Sequence, residues 1–256
     1  MKTISIIGSG NVATHLALAL KKAGHSIHEI VSRNIINAQI LADKVDAKAI
    51  DTVAKLDVHS TDMLIVSVND DHINEVVKSI PKTNCLVVHT SGTKGIDVLD
   101  AVENQGVFYP LQTFSKLKEV SFENIPICIE SNSKNGLKII KNVASSISND
   151  VRNTDSETRA AIHIAAVVAC NFSNHLLALS EGLLKESGED LSILKPLMEE
   201  TISKAFTASP KTMQTGPAVR GDKEVIKNHL ERLNSNPDLQ KIYSELSNSI
   251  IKLKNE

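Results

Sequence analysis

The hydrophobic pattern changes character about halfway along the chain. Up to about residue 150, short apolar runs bounded by Gly, Pro, Asn or Asp alternate with stretches whose apolar residues recur at helical spacing. The runs predict strands at 4–7, 26–31, 47–50, 63–68, 85–89, 107–109 and 125–130. The periodic stretches predict helices at 12–23, 37–44, 73–80 (stopped by Pro81) and 136–147. Alternating strands and helices argue for a doubly wound parallel sheet with right-handed crossovers. Beyond Ser156 the pattern is helical throughout: 157–187 ending at Gly188, then 191–206, 223–233 and 237–253. The expected architecture is α/β, a doubly wound domain over 1–153, followed by an all-α domain over 154–256.

The first strand carries the most specific local signal. Ile4, Ile6 and Ile7 run into Gly8-Ser9-Gly10-Asn11-Val12-Ala13, which opens the first helix. Strand, glycine pair and helix in this order make a dinucleotide-binding fingerprint. Gly8 permits the tight turn, Gly10 lets a pyrophosphate approach the backbone, and Ala13 is small enough for the third glycine's packing role. Free amides and the helix dipole favour phosphate there. Flavin and S-adenosylmethionine proteins use similar turns, and a purely structural turn is the plain alternative. After the second strand, where an NAD site places Asp or Glu, stand Ser32, Arg33 and Asn34. A hydroxyl, a guanidinium and an amide suit a 2′-phosphate, so the expected cofactor is NADP(H).

Polar residues at the carboxyl ends of other strands are candidates by position. Ser67, Val68 and Asn69 fall where a nicotinamide ribose would lie, with Asp70 and Asp71 as helix N-cap and first-turn acid. His89 and Ser91 face either the substrate or each other in a structural bond. On the long helix, His163, Val167, Cys170, Asn171, Asn174, Ala178 and Glu181 project onto one stripe at 100° per residue. That stripe lines a cleft or pairs across a helix interface. Arg220, in a Gly-Pro loop, anchors a substrate carboxylate, holds the backbone of a partner copy, or pairs with Asp222 to fix the loop.

Composition narrows the class. The 256 residues are 41% hydrophobic but only 3% aromatic, with no Trp, so packing rests on Ile, Val, Leu and Ala. A net charge of -2 argues against nucleic acid or an anionic membrane as partner. Cys85, Cys128 and Cys170 lie far apart in apolar runs and read as buried, reduced thiols without metal-ligand spacing. A strand begins within the first residues, so no signal peptide is expected, nor any apolar stretch of membrane-spanning length. The expectation is a cytoplasmic protein.

Four segments carry a family resemblance: Val87 to Gly92, Tyr109-Pro110-Leu111-Gln112-Thr113-Phe114, Ala169 to Phe172, and Thr215-Gly216-Pro217-Ala218-Val219-Arg220-Gly221-Asp222 with His229-Leu230 after it. They resemble the bacterial Rossmann-like family with a C-terminal domain of unknown function 2520, across nearly the whole chain. Tyr109 departs from it, since many members have His there. The family is similar to pyrroline-5-carboxylate reductase and the β-hydroxyacid dehydrogenases. That similarity implies an NADP(H)-binding Rossmann domain, a helical domain that forms a homodimer, and an active site between them. In the dehydrogenases the long helix carries a catalytic Lys. Its position falls near His163 here, and the Asn one turn on falls near Val167, so their mechanism does not carry over intact.

These readings combine into an NADP(H)-dependent oxidoreductase acting on a small polar carbonyl or imine. His163 is expected to exchange the proton, because an imidazole titrates near neutrality. Asn171 would polarise the substrate and Ser91 hydrogen-bond it, with His89, Gln112, Thr113, Asn174 and Arg220 lining its site. A nucleotide-binding sensor or scaffold without turnover is the alternative, and a fold that has lost its cofactor a third.

Overall fold

The computed structural model describes residues 1–255. Its chain falls into two compact units, Met1–Asn171 and the residues from Phe172 onward. The first unit therefore runs past the expected limit at 153 and includes the first part of the long helical stretch.

The first unit is built on one eight-stranded sheet. Its elements are β1 (Thr3–Ile7), α1 (Asn11–Lys22), β2 (Ser26–Val31), α2 (Ile35–Val45), β3 (Lys48–Ile50), β4 (Met63–Val66), α3 (Ile73–Lys78) and β5 (Leu86–His89). There follow β6 (Gln105–Pro110), β7 (Ile127–Ser131), α4 (Lys134–Ser145), β8 (Val151–Asn153) and α5 (Ser156–Ala166). The sheet order is β3-β2-β1-β4-β5-β6-β7-β8. The strands from β3 to β6 pair in parallel, as the alternation predicts.

β7 departs from the expected all-parallel sheet: it pairs antiparallel with β6, with Phe108 opposite Ile129, and β8 pairs parallel with β7. A parallel return needs a crossover, usually helical. Residues 111–126 contain no helix, and Leu111 N donates to Pro126 O at 2.8 Å, closing the connection at the edge where β6 ends.

Strand alternation divides the core between the two faces. Met63 and Ile65 of β4 pack with Leu16 and Leu20 of α1 and Ile140 of α4. Leu64 and Val66 pack with Ile73 and Val77 of α3 on the other face. Strands buried on both sides explain why 63–66 is an unbroken apolar run rather than an alternating one.

The long helical stretch is not uniform. α5 passes into a π-helical segment, Val167–Phe172, before α6 (Ser173–Glu186). The wider π turns move later residues off the places that 100° steps assign, so the stripe from His163 to Glu181 is not one continuous face. Ser156–Glu186 also corrects the expectation about membrane-spanning length, for its 31 residues reach a mean hydropathy of 1.5 over their most apolar window. By length and composition alone it is sufficient to cross a membrane. The second unit continues with α7 (Lys195–Thr207), α8 (Pro217–Arg220), α9 (Lys223–Arg232) and α10 (Pro237–Asn255). Of the three free thiols, Cys128 is buried, Cys85 is partly so, and Cys170, on the π segment, is exposed.

Candidate functional site

The site in the first unit follows the carboxyl edge of its parallel strands. At β1, Gly8 has φ +125°, and a Cβ there would lie 2.0 Å from the Ser67 carbonyl oxygen. Only glycine meets both conditions. A Cβ on Gly10 would meet nothing within 4 Å, so the backbone is open there. α1 then begins with no side-chain cap and no acidic residue in its first turn. Uncapped amides, an open backbone and a positive helix end fit a phosphate group.

Beside this turn, Ser9 Oγ donates to Ser32 Oγ at 3.0 Å, and Asn34 N donates to the same oxygen at 3.3 Å. Asn34 Oδ1 caps α2, accepting from Ile36 N and Asn37 N. Among the described residues, its NH2 group and the Ser32 hydroxyl hydrogen donate to no partner. Arg33 is exposed and makes no ion pair among the described residues. These groups fit a 2′-phosphate.

Further along the edge, Thr90 Oγ1 donates to Ser67 Oγ at 3.2 Å, although the regular strand β4 ends at Val66. Asp70 opens a short turn, and its carboxylate is the hub of the next loop, accepting from Ser91 Oγ at 2.7 Å and from Thr93 Oγ1. Ser91 Oγ also accepts from Thr93 N and Lys94 N, at 3.1 and 3.0 Å. The Ser91 hydroxyl is thus committed to shaping its own loop. His89 is fully buried and accepts from Ser91 N at Nδ1, at 3.1 Å, the structural alternative for that pair. Burial, reinforced by the Arg159 charge, pulls its pKa down to about 4, so it is neutral at physiological pH.

Within this loop lies Gly92, against which the Tyr109 and His163 side chains meet. Tyr109 Oη lies 2.9 Å from His163 Nδ1, with the rings edge to face. A Cβ on Gly92 would fall 2.5 Å from His163 Nδ1 and 2.9 Å from Tyr109 Cζ, so the absent side chain leaves the pair its space. Burial pushes the Tyr109 phenol up to about 12, which keeps it protonated. A neutral imidazole then accepts the phenol hydrogen at Nδ1 and carries its own on Nε2. A charged imidazole donates from Nδ1 to the phenol oxygen instead. Tyr109 can support His163 in either state, a partnership the sequence reading missed.

What holds His163 in place lies one turn earlier on α5. Arg159, fully buried, bonds Glu130 of β7 through Nη1, and through Nη2 reaches Lys94 O at 2.6 Å and Ser156 Oγ at 3.1 Å. Ser156 Oγ donates to Glu130 Oε2 at 2.8 Å and accepts from Ile96 N at 3.0 Å. Residues four apart share a helix face, so this network, which fixes α5 against the sheet and the 94–96 loop, also aims His163.

Gln112 and Thr113 are exposed and bonded to each other, through Thr113 N to Gln112 Oε1 at 2.7 Å. Asn171 is exposed at the end of the first unit. Asn174 and Arg220 belong to the second unit, where Arg220 donates twice to Asp222 Oδ2 at 2.8 Å, the loop-fixing alternative.

Comparisons agree with this architecture. Residues 2–114 match the model of the Rossmann-like domain, and 125–250 match the domain of unknown function DUF2520. A protein from Bacteroides fragilis, provisionally described as an NADP oxidoreductase, is 41% identical and superposes with a TM-score of 0.91, over 98% of each chain. Protein TM1727 from Thermotoga maritima is 24% identical with a TM-score of 0.72, also over 98% of each chain. 1-Pyrroline-5-carboxylate reductase from Streptococcus pyogenes shares the fold at 15% identity and TM-score 0.65, over 100% of this chain and 99% of its own. No curated protein matches the sequence. The chain belongs to the family that joins a Rossmann-like domain to a C-terminal DUF2520 domain.

Proposed function

We propose that this protein is an NADP(H)-dependent oxidoreductase acting on a small polar carbonyl or imine compound. The observation that carries the reading is the His163–Tyr109 pair at the carboxyl end of β6, on the same sheet edge as the Gly8-Ser9-Gly10 turn. The description of the Bacteroides fragilis relative supports it. Gly8 to Val12 would take the pyrophosphate, Ser32, Arg33 and Asn34 the 2′-phosphate, and Ser67, Val68 and Asn69 the nicotinamide ribose. When bound, the nicotinamide supplies the hydride chemistry. His163 would hold and exchange the proton of the substrate heteroatom at Nε2, while Tyr109 steadies the ring from Nδ1. Asn171, Gln112 and Thr113 are the proposed substrate contacts nearby in sequence.

We further read the protein as a cytoplasmic homodimer joined through the C-terminal helices. Leu183, Ile193, Leu197, Ile202 and Phe206 stand exposed on the second unit, an apolar surface that calls for a partner. Three free thiols suit a reducing compartment.

A non-catalytic dinucleotide sensor is the second reading, favoured by the Ser91 hydroxyl and the Arg220 guanidinium both being engaged internally. A thermal-shift titration with NADPH, NADP, NADH and NAD tests the cofactor. A ligand at a hundred times its Kd stabilises by about 2.7 kcal/mol. Selective stabilisation by the phosphorylated pair is expected, and no shift with any of the four at millimolar concentration would end the oxidoreductase reading. Binding of NADPH with no oxidation across a carbonyl and imine panel would favour the sensor.

A further inference from the structure

The connection from β6 to β7 runs back along α1 and is pinned there. The Phe114 ring lies 5.1 Å from that of His15, whose Nε2 is 2.9 Å from Ser115 O. Phe114 in turn stacks at 5.5 Å on Phe122, which is buried in the same core cluster as Leu16 and Leu20 of α1. These contacts hold the exposed tip of the loop at the N-terminal end of the helix. There Lys116 Nζ donates to the carbonyl oxygen of Ser9 at 2.7 Å. Ser9 is the middle residue of the glycine turn, so a side chain 107 positions away reaches the centre of the phosphate cradle.

The charge around that turn is unbalanced. The first turn of α1 holds no acidic residue. Neither Lys116 nor Arg33 makes an ion pair among the described residues. A side-chain cation and a positive helix end therefore meet at the Ser9 carbonyl, and the first turn of the helix supplies no carboxylate to answer them. An ammonium has three donors, and the Ser9 carbonyl takes one. Two remain for an anion.

We propose that Lys116 binds the pyrophosphate of the dinucleotide, so that the β6–β7 loop is a strap across the cofactor turn. This rests on the nicotinamide-dinucleotide reading above. It divides the work between two cations. Lys116, at Ser9, meets the pyrophosphate common to NADPH and NADH. Arg33, at the end of β2, meets the 2′-phosphate that only NADPH carries.

Dissociation constants for NADPH and NADH, measured on the full-length protein by nucleotide fluorescence, test the division. The variants are Lys116→Met, Lys116→Arg, Arg33→Met and Lys118→Met, the last being an exposed cation at the same tip. Lys116→Met should weaken both nucleotides by a similar factor, about tenfold, the size expected for one charge-assisted hydrogen bond. Lys116→Arg should recover most of that loss. Arg33→Met should weaken NADPH alone, and Lys118→Met neither. Unchanged binding in Lys116→Met overturns the proposal. So does a loss confined to NADPH, or an equal loss in Lys118→Met, which would mean diffuse charge rather than a contact. Melting of the nucleotide-free variants separates a collapsed loop, which lowers the transition and also overturns the assignment, from a lost phosphate contact, which does not. If the wild-type protein binds neither nucleotide, the cofactor reading itself falls and takes this one with it.

Discussion

The two units of this chain treat apolar side chains in opposite ways. The sheet unit closes its own core: every residue of β4 is buried, as are Ile4 and Ile6 of β1 and Leu16 and Leu20 of α1. In the helical unit, buried apolar residues are few, among them Ala218, Leu233 and Leu239, while Leu197, Ile202 and Phe206 are exposed, Phe206 by 89%. A sheet covered by helices on both faces has an inside. A set of amphipathic helices gains one only when another surface covers it. The charges follow the same division, with the buried Arg159 and its partly buried partner Glu130 both in the sheet unit. Substitutions in the first unit should therefore act on folding or chemistry at any protein concentration, and those in the second on association.

The largest expected effect is chemical. His163→Gln should lower turnover by roughly 100-fold or more while leaving the NADPH Kd nearly unchanged, the usual scale for removing a general acid–base group. Full activity in that variant would take His163 out of the reaction. Arg159→Met leaves Glu130 without its buried partner, and breaking such a pair costs about 3–5 kcal/mol. Denaturant unfolding should show that loss undiminished on dilution. A loss below 1 kcal/mol would mean that α5 is held by apolar packing instead.

Next comes pH. The folded-state pKa of His89 lies near 4, below its unfolded value, so the unfolded chain binds a proton that the folded chain refuses. Its contribution is complete above the unfolded pKa and drains away as pH falls from about 6.5 towards 4, by about 3 kcal/mol in total. Burial lowers the pKa of His25 as well, which adds in the same direction. His89→Gln should flatten the melting-temperature slope across that window, and an unaltered slope would assign the acid sensitivity elsewhere. The smallest effect on fold, and the most telling for the comparison, is the double change Leu197→Glu and Phe206→Glu. Sedimentation should show a dimer becoming a monomer with the first unit still folded. A wild-type monomer at micromolar concentration would remove the second copy as the cover.

Much of the first unit could be read from residue order, because strand and helix periods are local properties. The unbroken run at 63–66 and the glycine pair after β1 needed no tertiary information to be placed. The direction of β7 did, since strand direction depends on the path of the preceding loop and leaves no period behind. The same holds for the π segment, where apolar spacing alone gave no sign that 167–172 departs from α-helix.

The candidate site divides along the same line. Sequence by itself determined where the glycine turn stands after β1, where the Ser32-Arg33-Asn34 cluster stands after β2, and the passage from α/β to all-α. Each depends on neighbours within a few residues. Only the tertiary structure decided that Tyr109 is the partner of His163 across 54 positions, that Arg159 anchors the helix behind it, and that Lys116 reaches Ser9. It also decided that Ser91 spends its hydroxyl on Asp70. A hydrogen bond selects its partner by distance in space, and only folding turns separation along the chain into distance.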